Sequence, residues 1–406
     1  MSGGVNGTVC SAEEYASSIV SPDNEFPTIY CLTRGQSVGL AFAAESAFIS
    51  FVSVTGVFLL IARNVLRHKR AHPKGKWRLL REPTDVYMFS LLVLDAVQAM
   101  GNVLDVRWVN IGKVFTGSYC NAQGIIQQFG ELGVALSTLV ITIHTFNSVF
   151  WRKGIHSRRI AYIVIATVWT FVALWVGIGS GVNDSEDAPY FTPTPYWCWI
   201  SPRYSGERIG GEYLWLWAAL FSSVLVYIPL YFWSQGMLSV DARRWWRFRV
   251  HRPLEVQDLE GRRRRAYTIL AYPFAYSVVV LPLSVVRFTD FGLAARGEGN
   301  LPSIATFIVA FLYSLSGAVN VLLLVFTRPN LLLFGMQPGD LLDDDVIDHK
   351  RSMSQDSEMS AAAIPPTRTS PSGRLADETQ GTGWDLPAEH SSITSGETAV
   401  EGRQTV

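Results

Sequence analysis

Charge is what this sequence has least of. Asp, Glu, Lys and Arg make up 17% of its 406 residues, against about 25% in a typical soluble domain. Hydrophobic residues make up 49% and fall in blocks long enough to span lipid. That excludes a pair of soluble domains and indicates a chain that crosses a membrane several times. Lysine is absent between Lys153 and Lys350. A retinal-bearing pump or light sensor needs a lysine amine in its last span to form a Schiff base, so that class is excluded. There is no nucleotide-binding glycine loop, no set of metal ligands at recognised spacing and no Cys–His pair in one compartment. No enzymatic activity, cofactor or metal is therefore expected, and no nucleic-acid partner. Residues 1–36 show no basic start followed by an apolar core, so no cleavable signal peptide is expected. Internal repeats are lacking as well, which argues against a transporter; a multi-span transporter is nonetheless the alternative reading.

What is present is a series of apolar runs. Spans are expected at about 39–62, 86–106, 120–150, 159–182, 211–235, 266–289 and 302–327. The third, from Cys120 to Arg152, organises the rest. Its charge is confined to Glu131 and, when protonated, His144. Gln128, Glu131, Ala135, Thr138, Thr142 and Thr145 recur at steps of three and four, which places them on one side of a helix. A carboxylate facing lipid near mid-bilayer costs roughly 2.5–3.5 kcal/mol or more, so that stripe requires other helices around it. Span six carries Pro273 and Pro282 and is expected to be broken by them.

The loops set the orientation. Those following spans one, three and five hold 21 Lys and Arg, against seven on the opposite side. By the positive-inside rule the basic loops are cytoplasmic, the N-terminus is outside and the C-terminus inside. All four cysteines (Cys10, Cys31, Cys120 and Cys198) then fall on the outer side, where disulfides persist. So do the glycosylation sequons at Asn6 and Asn183. The expected organisation is an extracellular segment 1–36, a seven-span region 37–335 and a disordered cytoplasmic tail 336–406, rich in Ser, Thr, Pro, Gly and acids. The expected location is the plasma membrane, as a multi-pass protein.

Four cysteines allow three connectivities. Cys120 opens span three and Cys198 lies in the long loop before span five, so a bridge between them would pin that loop over the bundle; Cys10–Cys31 would be the remaining pair. Gln98, Asn102, Gln128, Glu131, Tyr276 and Tyr313 are candidates for a ligand pocket. Each could equally hold helices together through an interhelical hydrogen bond. Asp95, Pro273, Pro282 and Asn320 are candidates for a part that rearranges. Glu45 is a further intramembrane polar group, and His144 reads as a packed histidine. Arg262, Arg263, Arg264 and Arg265, read as immediately preceding span six, join Arg152, Lys153 and Arg328 as a cytoplasmic docking surface. The same charges suit anionic membrane lipid. Ser352, Ser354, Ser357 and Ser360 in the tail are open to kinases.

Tyr272-Pro273-Phe274 through Leu281-Pro282, Gly317 through Asn320 to Phe326-Thr327-Arg328-Pro329, and the loop Trp197-Cys198-Trp199 resemble G-protein-coupled receptors. Within these, they are similar to the cyclic-AMP-receptor-like and glucose-sensing-receptor-like group of fungi and slime moulds. The likeness covers about 37–335. Span three ends Phe150-Trp151-Arg152-Lys153 without Asp-Arg-Tyr, and span seven lacks Asn-Pro-x-x-Tyr, so the switches of the rhodopsin-like class do not transfer. The resemblance implies an extracellular small-molecule ligand, a heterotrimeric G protein (Gα) as partner, and output through cyclic AMP.

Overall fold

The computed structural model describes residues 7–18, 28–71, 80, 82–149, 157–183, 189–234, 237–240, 248–250, 259–296 and 301–327. Seven helical segments are each long and apolar enough to cross a membrane. Span one is Arg34–Ala71, span two Pro83–Val103, span three Ser118–Val149, span four Arg158–Asn183, span five Leu214–Ser234 and span six Leu259–Arg296. Span seven is in two pieces, Ser303–Ser314 and Ser316–Thr327. The fold is an all-α seven-helix membrane bundle.

Local chemistry sets the helix starts. Thr33 and Gln36 form a reciprocal cap on span one: the Gln36 amide N–H donates to Thr33 Oγ1 at 3.3 Å, and the Thr33 N–H donates to Gln36 Oε1 at 2.9 Å. Span two begins at Pro83, whose missing N–H costs nothing in the first turn, and the Glu82 N–H donates to Asp85 Oδ2 at 2.9 Å. The chain after span two makes a short helix, Val106–Ile111, where a plain connection was expected. Gly112 ends it at φ +71°, a conformation that favours glycine.

Span three sits at the centre. Every residue from 130 to 137 is buried, as are Gln128 and Thr142 of its polar stripe. Spans two and three approach backbone to backbone. A Cβ on Gly130 would lie 2.5 Å from Gln98 Cα, and one on Gly101 would lie 3.0 Å from Gln127 Cα. Small residues are what permit such contact between membrane helices. Thr142 meets Ser223 of span five at 3.2 Å between hydroxyls, and Trp169 of span four donates to Ser90 Oγ at 2.9 Å. His144 packs edge-on to Tyr87, with ring centroids 5.1 Å apart.

At one end of the bundle both disulfides are formed, Cys10–Cys31 and Cys120–Cys198. Strand Ile29–Cys31 pairs antiparallel with Lys113–Phe115. Strands Phe191–Pro193 and Cys198–Ile200 form a second antiparallel hairpin whose six residues are all buried. This hairpin lies across the helix ends as a lid. A third hairpin, Leu238–Val240 with Phe248–Val250, lies between spans five and six.

Two expectations are corrected. Span six is one uninterrupted helix through Pro273 and Pro282, and Arg262 to Arg265 lie within it instead of preceding it. A proline removes one N–H from the ladder, and the neighbouring turns can carry the helix past it. The interruption falls in span seven, at Leu315. Ser50 Oγ of span one donates to the Ser314 carbonyl at 2.6 Å and accepts from the Ala318 N–H at 3.2 Å. Those two groups would otherwise bond each other. A side chain inserted into the ladder is a known cause of a helix break.

Asn6, Arg152, Lys153, Arg328 and the tail 336–406 lie outside the described residues, as do the side chains of Pro273 and Arg262 to Arg265.

Candidate functional site

Beneath the lid is a cavity of about 30 Å³, room for one or two waters. Spans one, two, three, six and seven all contribute to it, as does the helical turn Ile209–Tyr213 that leads into span five. Its polar lining is Asn102, Asp105, Gln127, Glu131, Glu212, Arg287 and Ser314, and its aromatic lining is Trp197, Trp199, Tyr213 and Tyr313.

One side is a hydrogen-bonded ladder. Gln127 Nε2 donates to Asn102 Oδ1 at 2.7 Å, and Asn102 Nδ2 donates to Ser314 Oγ at 3.2 Å. Ser314 is the last residue before the break in span seven, so the cavity wall and the break share a residue. On the other side Glu131 and Glu212, both buried, line the cavity together with Arg287. Arg287 and Arg208 lie beside Glu212 and supply compensating positive charge.

The same arginines hold the lid. Arg287 Nη1 donates to the Thr194 carbonyl at 3.3 Å, and its guanidinium lies 4.6 Å from the Trp197 ring centroid. Arg208 Nε donates to the Ile200 carbonyl at 2.6 Å. Gln123 Oε1 accepts from Trp108 Nε1 at 2.6 Å and from the Cys198 N–H at 3.4 Å, while its Nε2 donates to Asp105 at 2.6 Å. The Tyr196 hydroxyl donates to Ser303 Oγ at 2.6 Å. Burial raises the Tyr196 hydroxyl above its ordinary value and pushes Tyr30 up to about 12, so both remain donors at neutral pH.

A second cavity, about 20 Å³, lies deeper and is lined by Gln98, Tyr276, Tyr313, Ser316 and Asn320 among others. The Gln98 amide and the Tyr276 hydroxyl are buried there without a hydrogen-bond partner among the described residues. Asn320 Nδ2 donates to both Asp95 oxygens, at 3.1 and 2.9 Å. A Cβ on Gly317 would lie 3.3 Å from Ser50 and 3.5 Å from Asp95, so this glycine lets spans one, two and seven meet.

Of the pocket candidates, Asn102, Glu131 and Tyr313 line the upper cavity, and Gln98, Tyr276 and again Tyr313 line the lower. Gln128 lines neither; it is buried against Tyr190. Asp95 and Asn320 are joined, and Pro282 lies within span six. Sequence reasoning missed Asp105, Gln127, Glu212, Arg287 and Ser314. For Glu212 and Arg287 the signal was available, because an ionisable side chain inside an apolar span marks a site by default.

No protein-family model matches the chain, and a search of curated proteins finds no match. Among solved structures, squid rhodopsin aligns with a TM-score of 0.49 and 14% identity, over 78% of this chain and 83% of its own.

Proposed function

We propose that this protein is a G-protein-coupled receptor of the plasma membrane. On this reading the lidded end is extracellular, 1–36 is an outer segment, 37–335 the receptor region and 336–406 a cytoplasmic tail. A small extracellular ligand displaces the hairpin, widens a cavity that otherwise has room for one or two waters, engages Asn102, Glu131 and Tyr313, and shifts the upper half of span seven. The lower half responds, and a heterotrimeric G protein is activated on the cytoplasmic face.

The observation that carries this reading is one line of polar contacts. It runs from Gln127 through Asn102 to Ser314, and so to the break that Ser50 holds open. Asp95 and Asn320 follow directly below. A pocket wall and a helix discontinuity that share a side chain form a two-state element a ligand can bias. The 21 basic residues at 63–81, 152–159 and 237–265, in the connections after spans one, three and five and the helix ends that flank them, support the docking assignment. Arg152, Lys153, Arg262 to Arg265 and Arg328 would meet a Gα C-terminal helix there. Coupling to cyclic AMP and the fungal subgroup rest on the motif resemblance alone, and phosphorylation of the tail on its exposed serines.

The deciding test is guanine-nucleotide exchange on purified Gα subunits, screened against sugars, amino acids, nucleotides and lipids. Charge reversal at Arg262 to Arg265 abolishes exchange while surface expression persists. Normal exchange in that variant would remove the docking surface. Both termini on one side of the membrane, or solute transport without nucleotide exchange, would remove the receptor reading.

A further inference from the structure

A third opening differs from the other two. Between the first turns of spans one and seven lies a groove of about 700 Å³, within the 300–1,000 Å³ range of small-molecule sites. It faces outward from the bundle: Phe42 is 56% exposed and Ile304 is 69% exposed. In a membrane this surface lies against hydrocarbon.

The groove is amphipathic along its length. Its polar end is Thr33, Gln36 and Ser303, at the starts of the two helices; the rest is apolar, and no charged side chain lines it. From Ser303 to Leu312 the helix rises about 13 Å. Phe42, Phe307 and Phe311 give the lower part a ring-faced wall, and Gly39 lets the Phe307 ring lie close against span one.

The polar end has a donor to spare. Ser303 Oγ accepts from Gln36 Nε2 at 3.1 Å and from the Tyr196 hydroxyl at 2.6 Å. A hydroxyl has two acceptor positions and one proton. Both acceptor positions are taken, and the Ser303 proton has no acceptor among the described residues.

We propose that this groove is a sterol site. One ligand hydroxyl accepts the Ser303 proton, and a rigid fused-ring body lies along Phe42, Phe307 and Phe311. A neutral lining with a single spare donor complements a neutral head group bearing one hydroxyl. It offers no cation to a phosphate, and Arg34, next to the rim in sequence, is not among the lining residues. A wall of three aromatic rings suits a rigid fused-ring body better than paired acyl chains. The occupant touches the lid's own anchor, because Tyr196 bonds Ser303 and its ring centroid lies 4.5 Å from that of Phe307. The site stands apart from the signalling reading, since binding is measured without any G protein.

The test uses the full chain in phosphatidylcholine nanodiscs with a photoreactive sterol that keeps its hydroxyl, followed by peptide mapping. Labelling is expected within 33–42 and 303–312. Unlabelled sterol competes, and diacylglycerol does not. Ile304→Trp, at an exposed position, fills the groove and cuts labelling about tenfold or more, while Leu225→Trp on span five, itself 71% exposed, leaves it unchanged. Ser303→Ala weakens competition about threefold to tenfold, the loss of one hydrogen bond. Thermal unfolding confirms that each variant is folded, and mapping on the unaltered chain decides the question if one is not. Labelling outside the two segments, equal competition by diacylglycerol, or undiminished labelling of folded Ile304→Trp would overturn the proposal.

Discussion

Ser50 of the first span stands inside the backbone ladder of the seventh, donating to the Ser314 carbonyl at 2.6 Å and accepting from the Ala318 N–H at 3.2 Å. One hydroxyl thus replaces a helical hydrogen bond with two bonds to another helix. Ser50→Ala leaves both backbone groups to find each other or stay unpaired, at about 1–3 kcal/mol for each that does not. The expected result is a lower unfolding temperature. Ser50→Thr, which keeps the hydroxyl, shows a smaller loss.

Asp95 and Asn320 should behave as a coupled pair. Asn320→Ala strands a buried carboxyl group and is expected to be the more damaging change. Asp95→Asn keeps a polar group that can bond the amide opposite. A double-mutant cycle on unfolding free energies should return a coupling of about 0.6–2 kcal/mol. Simple additivity would contradict the pairing.

Arg287 carries two loads, the lid and the acidic pair. Arg287→Met removes its bond to Thr194, its stacking on Trp197 and a positive charge near Glu131 and Glu212. Loss of one partner from a buried charged cluster costs about 3–5 kcal/mol. Combining it with Glu212→Gln should recover part of that loss, which thermal unfolding of the three variants measures.

The bridge Cys120–Cys198 closes the lid onto span three. Replacing both cysteines with alanine should cost about 2–4 kcal/mol, chiefly through a freer unfolded chain. Hydrogen exchange in 189–200 should rise more than in the spans. Equal protection with and without the bridge would show that Gln123, Arg208 and Arg287 hold the hairpin unaided.

Acid should loosen the N-terminal helix Ala12–Ser17. Lys113 Nζ lies 2.5 Å from Glu14 Oε1, and this hydrogen-bonded ion pair holds the Glu14 carboxyl below its ordinary value of 4.5. A depressed carboxyl binds fewer protons folded than unfolded. Its contribution is therefore complete above about pH 4.5 and fades as pH falls through the lowered value. Amide exchange across 12–18 should quicken on acidification, and Glu14→Gln should flatten that dependence.

Much of this architecture was legible because lipid imposes long apolar runs. Span four, expected at 159–182, is Arg158–Asn183. The upper cavity was partly legible too, since Asn102 and Glu131 are polar residues inside apolar spans, where each must find a partner or a cavity. Glu212 and Arg287 escaped because they sit near span ends, where charges pass as loop residues. The break in span seven was hidden for a different reason. Serine is unremarkable in an apolar helix, and the ladder of one helix is opened here by a side chain from another. Prolines, which do announce themselves, drew attention to span six, where the helix runs on.

The glycine contacts between spans two and three have a mechanical corollary. Where Gly130 meets the backbone of Gln98, and Gly101 that of Gln127, there is no side-chain cushion to rotate or compress. Those two helices can neither slide nor roll past one another without collision. They form a stator, and whatever moves in this molecule must move against them.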